Sequence, residues 1–125
     1  VDWELTWNRF DLLGEYASAS IDVPEESRIF AESLAGSYVQ LNTRFGSNLV
    51  SRLPDSSLTA VIRIGSVDFD TDVTGDDLRR LTLGCNFRPA PDSVFKLDYQ
   101  RNWSKDRFKN EAEGAALLFS VASYF

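Results

Sequence analysis

The stretch Val94-Phe-Lys-Leu-Asp-Tyr-Gln100 alternates apolar and polar residues without a break, the period of an extended strand with one apolar and one polar face. Almost the whole chain repeats it. Leu81, Leu83, Cys85 and Phe87 alternate with Arg80, Thr82, Gly84, Asn86 and Arg88. Ser37, Val39, Leu41, Thr43 and Phe45 alternate with Tyr38, Gln40, Asn42 and Arg44, and Leu58, Ala60, Ile62 and Ile64 with Thr59, Val61 and Arg63. At the end of the chain, Leu117, Phe119, Val121, Ser123 and Phe125 share one parity. No helical period competes in these windows. At the start, Trp3, Leu5 and Trp7 continue across Asn8-Arg9 into Phe10, Leu12, Gly14 and Tyr16, which a two-residue hairpin turn explains by setting Trp7 opposite Phe10. Seven strands are expected, roughly at 1–7, 10–21, 34–45, 57–67, 78–88, 93–103 and 115–125. The expected fold class is all-β, an antiparallel meander in one domain over 1–125.

The connections alternate in character. Asn8-Arg9 and Arg88 to Ser93 are tight, whereas 22–33, 68–77 and 104–114 are long, acidic and without strand pattern. The segment 46–56 breaks this rhythm. It falls where a tight turn is due, and a short helical turn is expected at 48–53.

Composition removes several classes of function. Thirteen Lys and Arg against 19 Asp and Glu give a net charge of -6, which leaves no electrostatic basis for a nucleic-acid partner. With no His and one Cys, an internal disulfide, a Cys/His zinc site and His-based nucleophilic triads are unavailable. No stretch approaches the roughly 18 apolar residues of a membrane helix, but barrel strands need only about 9–11 alternating residues. With no Met, Val1 is expected to begin a processed product or fragment, and an earlier strand is expected so that the count becomes even.

Two arrangements fit the alternation. A soluble, lipocalin-like barrel would turn Leu41, Ile62, Leu83, Leu97 and Phe119 inward around an apolar ligand, and a membrane barrel would turn them outward to lipid. The aromatics Trp7, Phe10, Phe45, Phe87, Phe95 and Phe125 share the apolar parity and cluster at the strand ends beside the short connections, as an interfacial belt does. With these residues in view, the chain resembles the C-terminal part of a Gram-negative outer-membrane porin, most nearly the phosphate-selective type. The resemblance is carried by Phe10 to Ala17, Gly36 to Leu41, Leu81 to Pro89, Val94 to Gln100 and the last strand ending in Phe125. Ser123 departs from it, since such terminal strands carry a larger residue there. The resemblance implies a transmembrane β-barrel in the cell outer membrane, with long loops outside and turns in the periplasm. It also implies outer-membrane lipid as surroundings, barrel-assembly machinery engaging the last strand, and homo-oligomers as an option.

The expected role is that of a passive channel for small hydrophilic solutes, with anions as one option, and with no enzymatic activity and no cofactor. Pore-lining candidates on the polar parity are Gln40, Asn42, Arg44, Arg63, Arg80, Arg88, Lys96 and Asp98. A basic ladder of this kind can replace part of an anion's hydration, provided Asp11, Glu15 and Asp98 do not neutralise it. Asp68, Asp70 and Asp72 place carboxylates at alternate positions, a weak pattern for a hard cation without the spacing of a calcium loop. No metal site is expected. Glu25-Glu26 has no apolar pocket to separate two carboxyl pKa values, and Cys85, between Leu83 and Phe87, is expected to be inert.

Overall fold

The computed structural model describes residues 1–20, 33–71, 76–106, 108 and 110–123. Seven strands form one sheet: β1 (Asp2–Trp7), β2 (Phe10–Ser20), β3 (Ser33–Ser47), β4 (Ser57–Asp68), β5 (Asp77–Ala90), β6 (Ser93–Lys105) and β7 (Glu111–Ser123). Each pairs antiparallel with the next, in the order β1-β2-β3-β4-β5-β6-β7. The sheet is open, with β1 and β7 as its edges.

The strands exceed the sequence expectation at several ends. β7 begins four residues early, at Glu111, because Glu111 and Glu113 pair across to Lys105 and Trp103. β5 runs through Pro89 to Ala90, where a register shift between Phe87 and Ala90 absorbs the residue that cannot donate to a ladder. The β5–β6 connection thereby shrinks to Pro91-Asp92.

The helical turn expected over 48–53 is not formed. Gly46 and Asn48 both have left-handed φ, 59° and 62°, which turns the chain back instead of starting a helix. The Leu53 and Ser56 amides donate to the Val50 and Leu53 carbonyls at 2.7 and 3.0 Å. The buried Ser56 hydroxyl accepts from the Val50 amide at 3.2 Å. The segment is two successive turns fastened by one serine.

Because direction alternates, the Asn8-Arg9 turn, the 48–56 excursion and Pro91-Asp92 share one end of the sheet, and the three long connections share the other. The register confirms the parities. On one face, Leu5, Leu12, Leu41, Ile62, Leu83, Tyr99 and Leu117 form a single row across all seven strands. The opposite face carries the row Glu4, Leu13, Gln40, Arg63, Thr82, Gln100 and Ala116.

Among the described residues no second layer covers either face. Among the described residues Val94, 5% exposed, is the only buried hydrophobic side chain, while Ile64 is 63% exposed, Leu83 44% and Phe119 68%. Their polar-parity neighbours Arg63, Gly65, Thr82 and Gly84 are half-buried or buried. In a single layer such a difference comes from curvature, since side chains on the concave side converge and shield one another. Leu83, Leu97 and Phe119 therefore do not meet in a dry centre. The burial sense is the reverse of a soluble sheet.

Candidate functional site on the polar face

The polar face is built by register. Its row toward the long connections reads Asp2, Glu15, Tyr38, Gly65, Arg80 and Asn102 from β1 to β6. The next contains Gln40, Arg63, Thr82 and Gln100, and the one after it Asp11, Asn42, Val61, Gly84 and Asp98. Arg44, Asn86 and Lys96 follow toward the turns, with Arg88 at the rim. All eight expected pore-lining residues thus lie on one face.

Their partners decide what they can do. Arg44 is neutralised by Asp11, at 3.3 Å. Arg63 and Arg80 have no carboxylate partner among the described residues. The Arg63 guanidinium lies over the Tyr38 ring, 3.9 Å from its centroid, and its Nε is buried without a hydrogen-bond partner. Arg80 Nε donates to Asn102 Oδ1 at 2.7 Å, and Gln40 Nε2 donates to Asn42 Oδ1 at 2.8 Å. Asp98 also forms no ion pair among these residues. Its carboxylate occupies the space that a Cβ at Gly84 would need, so a side chain there would require the carboxylate to turn aside.

A cavity of about 230 Å³ opens here, lined by Tyr38, Arg63, Gly65, Val67, Leu78 and Arg80. It contains two guanidinium groups and no acid. A second, of about 440 Å³, adjoins it through Tyr38 and is lined by Asp2, Glu4, Leu13 and Glu15. Asp2 and Glu4 were missed as wall residues by the sequence reading, which counted only Asp11, Glu15 and Asp98 against the bases. The signal was there, because the Trp3-Leu5-Trp7 parity puts Asp2 and Glu4 opposite it. The face is consequently divided, acidic on β1 and β2 and predominantly basic on β3 to β6.

The apolar face has aromatics at both borders. Trp7 and Phe10 lie in one row, with ring centroids 6.4 Å apart, and Phe45, Phe87 and Phe95 lie in or beside the next row toward the turns. The expected belt is thus two rows deep, and Phe125 falls outside the described residues. A second aromatic set, Trp3, Tyr16 and Trp103, stands toward the long connections. The sequence reading missed it because these residues do not adjoin tight turns. On this face Arg101 lies one row inside Trp103, where it pairs with Glu113 of Trp103's row, and the exposed pair Lys105–Glu111 lies beyond, both at 2.9 Å. A hollow of about 610 Å³ at that border is lined by Ile64, Arg79, Leu81, Trp103 and neighbours, and lies mainly on the apolar face. Cys85 is exposed on the apolar face.

Of the weak metal candidates, Asp72 lies outside the described residues. Asp68 Oδ1 accepts the Asp70 amide at 3.1 Å, and no cluster of three metal-ligating side chains occurs among the described residues. Among the described residues no helix is long and apolar enough to cross a membrane, which has no bearing on strands. No protein-family model, curated protein or solved structure matches the chain.

Proposed function

We propose that this chain forms part of the wall of an outer-membrane β-barrel channel for small hydrophilic solutes, with its polar face toward water and its apolar face toward lipid. One observation carries this reading: in the central strands the side chains shielded by curvature are those of the polar face, and among the described residues the only buried hydrophobic, Val94, is on that face while the apolar face is left uncovered. Water penalises that arrangement by about 25 cal/mol for every Å² of apolar surface left uncovered. Lipid reverses the sign.

The aromatic borders support the same reading, since girdles sit at membrane interfaces. From Phe95 to Trp103, β6 covers about 26 Å of extended chain, or about 20 Å along the membrane normal at a barrel tilt of about 40°, near the height of a barrel's apolar band. The long connections would face outward and the turns the periplasm, with barrel-assembly machinery meeting β7. Within the channel, anions would follow the β3–β6 wall, where Arg63 and Arg80 are unpaired by any described acid. Wall charges act at close range, whereas loop carboxylates in bulk water are screened within about 8–10 Å.

The test is insertion and conductance. Vesicles containing brominated lipid should quench the tryptophans of the incorporated chain, and no quenching would remove the membrane reading. In a conducting assembly containing this chain, replacing Arg63 and Arg80 together with Gln should move the reversal potential toward cations under a salt gradient. An unchanged potential would mean that these bases lie off the pore.

A further inference from the structure

We infer that the hollow at the long-connection border of the apolar face seats a phosphate-bearing membrane lipid, with its phosphate on the Arg79 guanidinium, its headgroup against Trp103 and its acyl chain along Leu81 and Ile64. The inference names a lipid class for the face proposed above to meet the bilayer, and rests on that reading.

Register builds the hollow in layers. Ile64 of β4 and Leu81 of β5 are direct partners and form its apolar floor. One row further toward the long connections Arg79 stands opposite Trp103, and beyond them comes the row Asp77, Lys105 and Glu111. Along β5 the order from the middle of the sheet outward is therefore apolar, cationic, acidic. The floor stays open toward the middle, where it continues into the exposed pair Ile62 and Leu83 of the next row. A hollow of about 610 Å³ with such a floor takes the head of an amphiphile whose tail lies on the adjoining face.

The bases around it are not equivalent. Arg101 and Lys105 are each held by a glutamate at 2.9 Å, Glu113 and Glu111 respectively. Arg79 is not held in this way, since its Nε lies 3.6 Å from Asp77 Oδ2 and its side chain is 74% exposed. That separation is too long for a hydrogen bond, and an exposed pair of this kind contributes little, so the guanidinium fork stays available. A phosphate matches the fork with two parallel hydrogen bonds. Trp103 suits the same border, because an indole sets its apolar body in lipid and its N–H toward the wet side. Charge also decides between lipid and a second copy of the chain on this face. A second copy would have to bury the Arg101–Glu113 and Lys105–Glu111 pairs, at a desolvation cost, whereas a lipid headgroup leaves them wet.

The experiment uses the purified chain in micelles of a non-ionic detergent, with Trp3→Phe and Trp7→Phe leaving Trp103 as the single tryptophan. Phosphatidic acid and diacylglycerol with the same brominated acyl chains are added in turn, so that the two lipids differ only in the phosphate. Half-maximal quenching should come at about a tenth of the mole fraction with phosphatidic acid, one charge-assisted contact being worth about that factor. Arg79→Gln should bring the two midpoints together, and in a companion chain that keeps Trp7 alone, through Trp3→Phe with Trp103→Phe, it should change nothing. Inorganic phosphate at the concentration of the brominated lipid should leave the quenching in place. Equal midpoints in the chain that retains Arg79 would overturn the inference, even if the Arg79 variant failed to fold. So would full displacement by inorganic phosphate, which describes a free-anion site. A fall in Trp103 quenching by both lipids as the chain concentration rises would place a second copy on this face and overturn it as well. Quenching of Trp7 together with equal midpoints at Trp103 removes the lipid site and keeps the membrane reading, whereas no quenching of either tryptophan by either lipid removes both.

Discussion

At the scale of single residues, the conformations that the sheet cannot do without are few. Asn8 takes φ 55° in the β1–β2 turn, a region open to Gly and Asn but costing other residues roughly 1–2 kcal/mol. The turn is also tied to β3, the Arg44 amide donating to the Arg9 carbonyl at 2.9 Å. Asn8→Gly should therefore be nearly neutral and Asn8→Val should destabilise the first hairpin by about 1–2 kcal/mol, read as earlier loss of Trp3 and Trp7 fluorescence in a denaturant titration. Equal midpoints would show that the turn contributes nothing to the hairpin. Asp106 organises the β6–β7 connection, accepting the Asn110 side-chain amide and the Phe108 and Asn110 backbone amides, all at 2.8 Å. The Asn110 side-chain bond is the largest cause holding its carboxyl below the usual 3.8. A depressed folded pKa stabilises above the unfolded value, about 3.9, and that contribution is lost as pH falls through the lower folded one. Backbone shifts of Phe108 and Asn110 should titrate together with a midpoint below 3.8. A midpoint at or above that value would remove the carboxylate from its place in the connection.

At the scale of elements, a strand here has two faces with different requirements, and adjacent residues expose the difference. Leu83 lies in the middle rows of the apolar face and Thr82 beside Arg63 on the polar one. In lipid, Leu83→Arg should cost about 2–4 kcal/mol, as expected near a bilayer midplane, and Thr82→Arg should leave insertion intact, both measured by the fraction recovered in floated vesicles. Equal recovery of the two would mean that parity does not choose the solvent. This parity was legible in the sequence over the middle and turn-side rows, but it breaks toward the long connections, where Arg79, Arg101 and Glu113 stand on the apolar face and Val67 and Leu78 on the polar one. The strand ends were less so. Pro89 inside β5 depends on a register shift that no local pattern encodes, and the 48–56 turns depend on Ser56 reaching back to Val50. The candidate site was legible in part. Arg63 and Arg80 could be placed on one face, but their relation to Tyr38, 25 and 42 positions before them, and the release of Arg63 from any described carboxylate, follow from cross-strand pairing that spacing does not reveal. The acids of β1 were legible and overlooked.

At the scale of the whole molecule, strand direction limits how this sheet can be completed. Six successive antiparallel pairings leave β1 and β7 running the same way. If the sheet curled until its own edges met, those edges would pair in parallel, and two copies set side by side around a barrel axis would again place β7 of one against β1 of the other in parallel. Two copies joined β7 to β7 would be antiparallel but would send their long connections to opposite ends, in conflict with one sidedness for the loops. Closure by antiparallel pairs alone requires an odd number of further strands between β7 and β1, whichever chain supplies them. Until then both edges present unpaired amides and carbonyls, the usual template for uncontrolled association. The argument can be tested with the chain as it stands, in a Cys85→Ser background. Leu97→Cys with Phe119→Cys, opposite each other on β6 and β7, should oxidise readily in detergent, within the short Cα separation a disulfide tolerates. Leu5→Cys with Leu117→Cys, in the same row but on the two edges, should form a disulfide neither within one chain nor between two. Efficient oxidation of the edge pair would show that the sheet closes through a parallel seam, and the requirement for an odd number of additional strands would fall.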